Sequence, residues 1–227
     1  HYPYLENPEP SCVFLYDFLK NSQSHIVSLS DRIKEEFIRR GIDGTNVSVL
    51  PCGIDTQSYV LDVDDVLFPD KSIVVGKIEP RKRQAHLQKH NLNIDFVGNV
   101  SDQSFDTSDP SYLGEQSKQD IMDNLTAYAN MVLLSSGEAH PFVCLEGLAA
   151  GLGLVLSEQS TANLDVSQPF ITVIPDDKIH DSDYLREKIE QNRMISLGMR
   201  YKIRQYCYEN FDWLKIIKKY KEIINSI

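Results

Sequence analysis

An α/β fold, a parallel sheet with helices on both faces, follows from three features of the sequence. Short apolar runs such as SIVVGKI (72–78), MVLLS (131–135) and GLVLS (153–157) are bounded by turn residues, as buried strands are. Segments with helix-start and helix-stop residues separate them. The alternation of strand and helix repeats along the 227 residues, and that order builds a parallel sheet rather than a hairpin-linked one.

Taken in order, residues 11–20 (SCVFLYDFLK) predict a short amphipathic helix. SHIVSLS predicts a strand, mainly His25 to Leu29. Ser30 is placed to cap a helix running to about Arg40, which Gly41 ends. NVSVL predicts another short strand and PCGID a turn. Residues 55–71, with Asp62, Asp64, Asp65, Asp70 and Pro69, predict a connector into the buried strand SIVVGKI. PRKRQAHLQKH predicts a basic helix start and NIDFVGNV the next strand. Residues 101–111 are polar and turn-rich, which predicts a surface loop. Residues 116–128 predict a helix, MVLLS a strand, and 141–150 a helix with Pro141 in its first turn and Gly151 at its end. GLVLS and FITVI are further strands. The tail from about Asp183 is helical, and its last part places Trp213, Ile216, Ile217 and Tyr220 on one face.

Composition narrows the function. The hydrophobic share of 41% and charged share of 25% describe a globular chain able to bury a core. With 23 basic and 33 acidic residues the net charge is −10, which disfavours broad nucleic-acid binding. A local basic cluster still holds a small phosphate well. Cys12, Cys52, Cys144 and Cys207 form no CxxC pair, so neither a zinc site nor a disulfide framework is signalled. Free thiols, no apolar run near ~18 residues and no signal peptide predict a cytoplasmic location. The chain begins at His1 rather than Met, and a piece of a longer protein is expected. His25, His86, His90 and His180 read as isolated structural residues, and His1 as a frayed end. The acidic run DVDD at 62–65 reads as a solvated loop, and no metal is expected.

Ligands of parallel sheets sit beyond the carboxyl ends of strands, which places Lys77, Gly98 and Glu138 near one rim. The sharpest feature there is the strand–loop–helix at 131–151. Glu138 lies in its loop and Glu146 eight positions on, in the helix. The N–H groups near Pro141, Phe142 and Val143 start that helix, where partial positive charge accepts phosphate. Glu146 suits vicinal hydroxyls and Glu138 the hydroxyls of a sugar beyond the phosphates. In GKIEPRKRQ, Lys77 and Lys82 stand five apart with Arg81 and Arg83 beside Lys82, cations suited to a departing diphosphate. As bare spacings, two glutamates and a basic helix start are common surface features.

In order, VVGKIEPRKRQ, IDFVGNV, YLGEQSKQDIMDNLTAYANMVLLSSGE and HPFVCLEGLAAGLGLV resemble the retaining GT-B glycosyltransferases of the large bacterial E-x7-E family (group 1, family 4 type). IVSLSDRIKEEF…VSVLPCGID resembles that family's crossover from first to second domain, and FDWLKIIKKYKEI its closing helix. The resemblance implies a Rossmann-like GT-B C-terminal domain, the donor-binding half of a hexosyltransferase-type enzyme. It implies transfer from a UDP- or GDP-sugar with retention, no further cofactor, and an acceptor that is a glycan, lipid or protein. Lys77 and Lys82 then match the family's diphosphate cations, Glu138 the carboxylate near the transferred sugar and Glu146 the one on the ribose. Pro141 to Val143 match the phosphate cradle, and Leu113 with Gly114 the segment that holds the base through main chain. Residues 1–50 match a remnant of the acceptor domain and crossover, 51–205 the donor domain and 206–227 the closing helix.

Four departures from the family pattern stand out. Lys77 replaces an Arg and loses its bidentate fork. His140 and Pro141 replace Phe-Gly, removing one backbone donor. STANLD at 160–165 replaces a Gly-rich loop, and the helix after Lys82 is short. Two alternatives stay open on the same fold: a non-catalytic nucleotide-sugar-binding or interaction module, and a nucleotide-sugar epimerase. Peripheral membrane association of an intact enzyme is left open.

Overall fold

The computed structural model describes residues 10–22, 24–64 and 66–227. After helix α1 (Pro10–Asn21), strand β1 (Ile26–Ser28), helix α2 (Asp31–Arg39) and strand β2 (Val47–Val49) form a small parallel unit. Gly41 ends the α2 turn with a φ of 86°, a conformation that suits glycine. Ser30 stands at the helix start as expected, but its side chain makes no capping bond.

The main sheet holds five strands: β3 (Phe68–Val75), β4 (Ile94–Val97), β5 (Tyr128–Leu133), β6 (Gly153–Ser157) and β7 (Ile171–Ile174). Their order is β4-β3-β5-β6-β7 and every pairing is parallel. Between them lie α3 (Gln84–Gln88), α4 (Lys118–Asn124) and α5 (Phe142–Ala149), and the chain closes with α6 (Ser182–Phe211) and α7 (Trp213–Ser226).

Alternation along the strands shows that both faces are covered. Ile73, Met131, Leu133, Leu154 and Leu156 enter one buried cluster, with Leu145 and Leu148 of α5. Val74, Val132, Leu134 and Val155 enter a second, with Ala85 and Leu87 of α3. Such strands read as continuous apolar runs because neither side meets water.

Helix α6 serves both faces. Leu185 and Ile189 near its start join the second cluster, whereas Ile203, Cys207 and Phe211 near its end join the first. Its middle crosses the amino ends of the strands with buried polar residues. Asn192 donates to the carbonyls of Leu154 (3.2 Å) and Phe170 (3.1 Å) and accepts from Asn130 (2.9 Å). Ser196 accepts from the Gly153 N–H at 2.7 Å. Arg193 donates to the Leu92 carbonyl at 2.6 Å and to Ser72 at 3.0 Å. Arg200 donates to Thr126 at 2.8 Å and to the Tyr128 carbonyl. Gly153 is glycine because an added Cβ would stand 2.9 Å from Ser196 Cβ. The helix thus satisfies strand-end groups that would otherwise be buried without partners, and the site lies at the opposite, carboxyl end.

Several boundaries differ from the sequence expectation. Strand β3 begins at Phe68, inside the expected connector, and ends at Val75. Pro69 is accommodated because the early part pairs only with β5, through a register shift between Phe68 and Ser72. The basic helix start splits into a turn (Pro80–Lys82) and α3, divided by Arg83 with a φ of 57°. The helix expected over 116–128 is limited to Lys118–Asn124, and β5 starts at Tyr128. Ser117 and Asp120 form a reciprocal capping box that fixes the start of α4. A tight turn at Leu125–Ala127 ends it, so Tyr128, Ala129 and Asn130 join the sheet.

The polar segment 101–111 is a loop, yet it buries Phe105 and runs beside β4, where Phe96 N–H donates to Ser111 at 2.8 Å. In α7 only Ile216 of the expected apolar face is buried, while Trp213, Ile217 and Tyr220 stay exposed. The break between the last two helices falls at Asp212, whose side chain accepts from the Leu214 N–H. The histidines are not all isolated: the rings of His86 and His90 lie 4.4 Å apart and those of His86 and His180 4.6 Å apart. Helical spacing joins the first two, and the turn into α6 brings the third. His1 and Asp65 lie outside the described residues.

Candidate functional site

The carboxyl end of β5 leads through Leu134 and Ser135 into a loop that carries Glu138, then into α5, which carries Glu146. Arg81 ties this loop to the turn after β3. Its guanidinium donates to Ser135 Oγ (3.0 Å), to the Gly137 carbonyl and to Glu79 (2.8 Å), while its carbonyl accepts from Ser136 N–H at 2.8 Å. Glu138 lies 3.1 Å from the same guanidinium. That contact is an ion pair without hydrogen-bond alignment, since the buried Oε1 of Glu138 has no directed donor. The Glu138 N–H donates to the Gln159 carbonyl at 3.2 Å, so the loop is held from two sides.

Pro141 occupies the cap position of α5, and Cys144 N–H donates back to its carbonyl at 2.9 Å. The N–H groups of Phe142 and Val143 are therefore the ones that face outward at this positive helix end. His140, just before, pairs its Nδ1 with Asn163 at 2.9 Å. Burial holds its imidazole below the ordinary value.

Glu146 is 8% exposed and is held by two side chains. The Tyr59 hydroxyl donates to its Oε1 at 3.1 Å, and the Lys118 amine contacts the same oxygen. Lys118 also lies over the Phe142 ring, 5.5 Å from its centre. Burial, and then the nearby Glu146 charge, raise the Tyr59 phenol.

Lys82 lies in the turn Pro80–Lys82 with its amine above Gly76, where an added Cβ would meet it at 2.9 Å. The Cys144 thiol of α5 is wholly buried. Burial raises it most, Glu138 and Glu146 raise it further, and Lys82 opposes them. Lys77 follows Gly76 and is exposed. Neither Lys77 nor Lys82 has an ion pair among the described residues. Gly98 meets this turn closely: its φ is 146°, and a Cβ there would stand 2.1 Å from the Gly76 carbonyl. Among the described residues, no group of three or more His, Cys, Asp or Glu is arranged to hold a metal.

Leu113 and Gly114 lie along the edge of β4. The Leu113 N–H donates to the Phe96 carbonyl and the Gly114 carbonyl accepts from the Gly98 N–H, both at 2.9 Å, while the Leu113 carbonyl and Gly114 N–H take no backbone hydrogen bond among the described residues. Leu113 and Gln116 help line a cavity of about 410 Å³ beside Phe68, Ile121 and Tyr128.

The structure thus sets Glu138, Glu146 and the start of α5 on one loop–helix segment and ties that loop through Arg81 to the turn that carries Lys82. Among the described residues it shows no direct contact from Lys77, Lys82, Leu113 or Gly114 to either glutamate. Arg81, Tyr59 and Lys118 were not singled out from sequence. Arg81 stood in the basic cluster without a reason to prefer it over its neighbours. Tyr59 and Lys118 stand 87 and 28 positions from Glu146, with no local pattern that joins them.

No family model matches the chain, and no curated protein matches it by sequence. Solved structures do. A lipopolysaccharide outer core galactosyltransferase, WaaB, superposes with a TM-score of 0.69 at 16% identity, over 88% of this chain and 61% of that one. Anabaena HepE in complex with UDP and glucose gives 0.70 at 14% identity, over 95% and 66%. Sucrose-phosphate synthase from Thermosynechococcus elongatus gives 0.72 at 16% identity, over 97% and 62%. The fold is that of a GT-B C-terminal domain. The chain spans less than two thirds of the length of each of these three structures.

Proposed function

We propose that this chain is the donor-binding half of a retaining, hexosyltransferase-type glycosyltransferase that holds a UDP- or GDP-sugar. The observation that carries the reading is the tie of the Glu138 loop, through Arg81, to the turn that holds Lys82, directly before the helix α5 that carries Glu146, at the sheet end where parallel sheets bind ligands. The Phe142 and Val143 N–H groups and Pro141 form the diphosphate cradle. Lys77 and Lys82, unpaired among the described residues, neutralise the charge that grows on the diphosphate as its bond to the sugar breaks. Glu138, held beside Arg81, accepts from hydroxyls of the transferred sugar, and Glu146 accepts from the ribose. Leu113 and Gly114 meet the base through their unused main-chain groups. HepE, which shares the fold, is a structure in complex with UDP and glucose.

No cofactor or metal is needed beyond the donor in this scheme, and the acceptor is a glycan, lipid or protein met by the rest of the enzyme. The setting proposed is the cytoplasm. Among the described residues no helix is long and apolar enough to cross a membrane.

Titration calorimetry with UDP-, GDP- and ADP-sugars tests the reading. One of them should bind with a dissociation constant in the micromolar range, and Glu146→Ala should weaken it by about tenfold or more, a lost charge-assisted hydrogen bond. Absence of measurable binding to all three, with no effect of Glu146→Ala, overturns the proposal.

A further inference from the structure

Glu146 is not a free carboxylate awaiting a ligand. Both of its donors act on one oxygen: Tyr59 donates to Oε1 at 3.1 Å, and the Lys118 amine contacts Oε1 and stands 2.5 Å from the Tyr59 hydroxyl. The other oxygen, Oε2, takes part in no hydrogen bond or ion pair among the described residues, yet it is not a buried unpaired atom. It therefore keeps some exposure to solvent, in a side chain that is 11% exposed as a whole.

The two donors are themselves anchored. Tyr59 is 3% exposed, and Arg204 fixes its backbone by donating to the Tyr59 and Thr56 carbonyls, each at 2.7 Å. Lys118 is the first residue of α4, whose start is set by the Ser117–Asp120 capping box. Its amine also rests 5.1 Å from the centre of the Tyr59 ring and 5.5 Å from that of Phe142. Two separate elements, the segment of Tyr59 and the start of α4, thus converge on one oxygen of a carboxylate carried by α5.

We propose that Tyr59 and Lys118 are positioning residues that fix Glu146 through Oε1 and present Oε2 alone to the vicinal hydroxyls of a nucleoside diphosphate. The inference rests on the donor-binding reading above. A carboxylate with one oxygen doubly held has lost its rotational freedom before the ligand arrives, so a ribose hydroxyl meets an oriented acceptor. Released from both donors, the carboxylate turns freely and its two oxygens exchange, which weakens a directed hydrogen bond. Neither Tyr59 nor Lys118 hydrogen-bonds the backbone at the start of α5 or the turn after β3, where the diphosphate is proposed to sit, so their loss falls mainly on the ribose.

The test compares UDP, GDP and ADP with their 2′,3′-dideoxy forms by titration calorimetry. The wild-type chain should prefer the ribose form of its best ligand by about tenfold or more. The double variant Tyr59→Phe, Lys118→Met should reduce that preference to about twofold, while affinity for the dideoxy form stays within about twofold of wild type. Lys118→Arg, which keeps a cationic donor, should retain most of the preference. Equal weakening of both forms by Lys118→Met places its effect on the diphosphate and overturns the inference. So does a wild-type chain that binds both forms equally, a result that leaves the donor-binding reading standing. A wild-type chain that binds none of the six ligands overturns the donor-binding reading itself, and the inference with it.

Discussion

Arg81 and Glu138 provide the most direct measure of how the site is held. At 3.1 Å and an effective dielectric of roughly 20, the gross attraction of the pair is about 5 kcal/mol. Two facts reduce the net value. The contact lacks hydrogen-bond alignment, and the Arg81 side chain is 30% exposed, so water screens it. A coupling of about 1–2 kcal/mol is expected from a double-mutant cycle of Arg81→Met and Glu138→Gln, read by urea unfolding. Arg81→Met alone should cost about 3 kcal/mol, because it also removes the bonds to Ser135, Gly137 and Glu79. Glu138→Gln alone should lie within about 1 kcal/mol of wild type, since a partly buried carboxylate is relieved as its partner is lost. A coupling below about 0.5 kcal/mol would show that the pair does not hold the loop.

Two further outcomes follow from the fold. Asn192→Leu, at a fully buried position that links β6, the start of β7 and Asn130, should cost about 3 kcal/mol or more in urea unfolding, because the Leu154 and Phe170 carbonyls lose a donor; a cost below about 1 kcal/mol would remove the strand-end role assigned to it. Burial lowers the imidazoles of His140 and His90, so both favour the neutral form when folded. In the window below the ordinary value of 6.5 the unfolded chain binds more protons. That contribution to stability is therefore complete above 6.5 and is lost as the pH falls through the folded values. Unfolding free energies measured at about pH 7.5 and about pH 5.5 should differ in that direction, and the difference should shrink in His140→Gln. An unchanged difference would exclude His140 as a contributor.

Much of this was legible in the chain itself. The runs Ile73–Val75, Met131–Leu134 and Leu154–Leu156 declared buried strands, because two-sided burial leaves no polar alternation to confuse the pattern. Pro141 and Gly151 bracket α5, and so the sequence alone places Glu138 on a loop and Glu146 on a helix. Strand starts were less legible. Phe68 and Tyr128 open their strands within polar stretches, where pairing with a neighbouring strand decides the outcome and local composition does not.

The sequence determined the class of fold, the order of its elements and the two glutamates on consecutive parts of one strand–loop–helix, since each of these depends on periodicity and on residues close along the chain. The tertiary structure decided the rest. Asn192, Arg193, Ser196 and Arg200 are polar residues of a helix that are buried because α6 crosses the strand ends. Arg81 differed from Lys82 and Arg83 only once Glu138 was beside it, and Tyr59 and Lys118 mattered only once both met Glu146. Hydrogen bonds and ion pairs act over a few ångströms in space, whereas these partners are separated by 28 to 87 residues of chain, so no local pattern registers them.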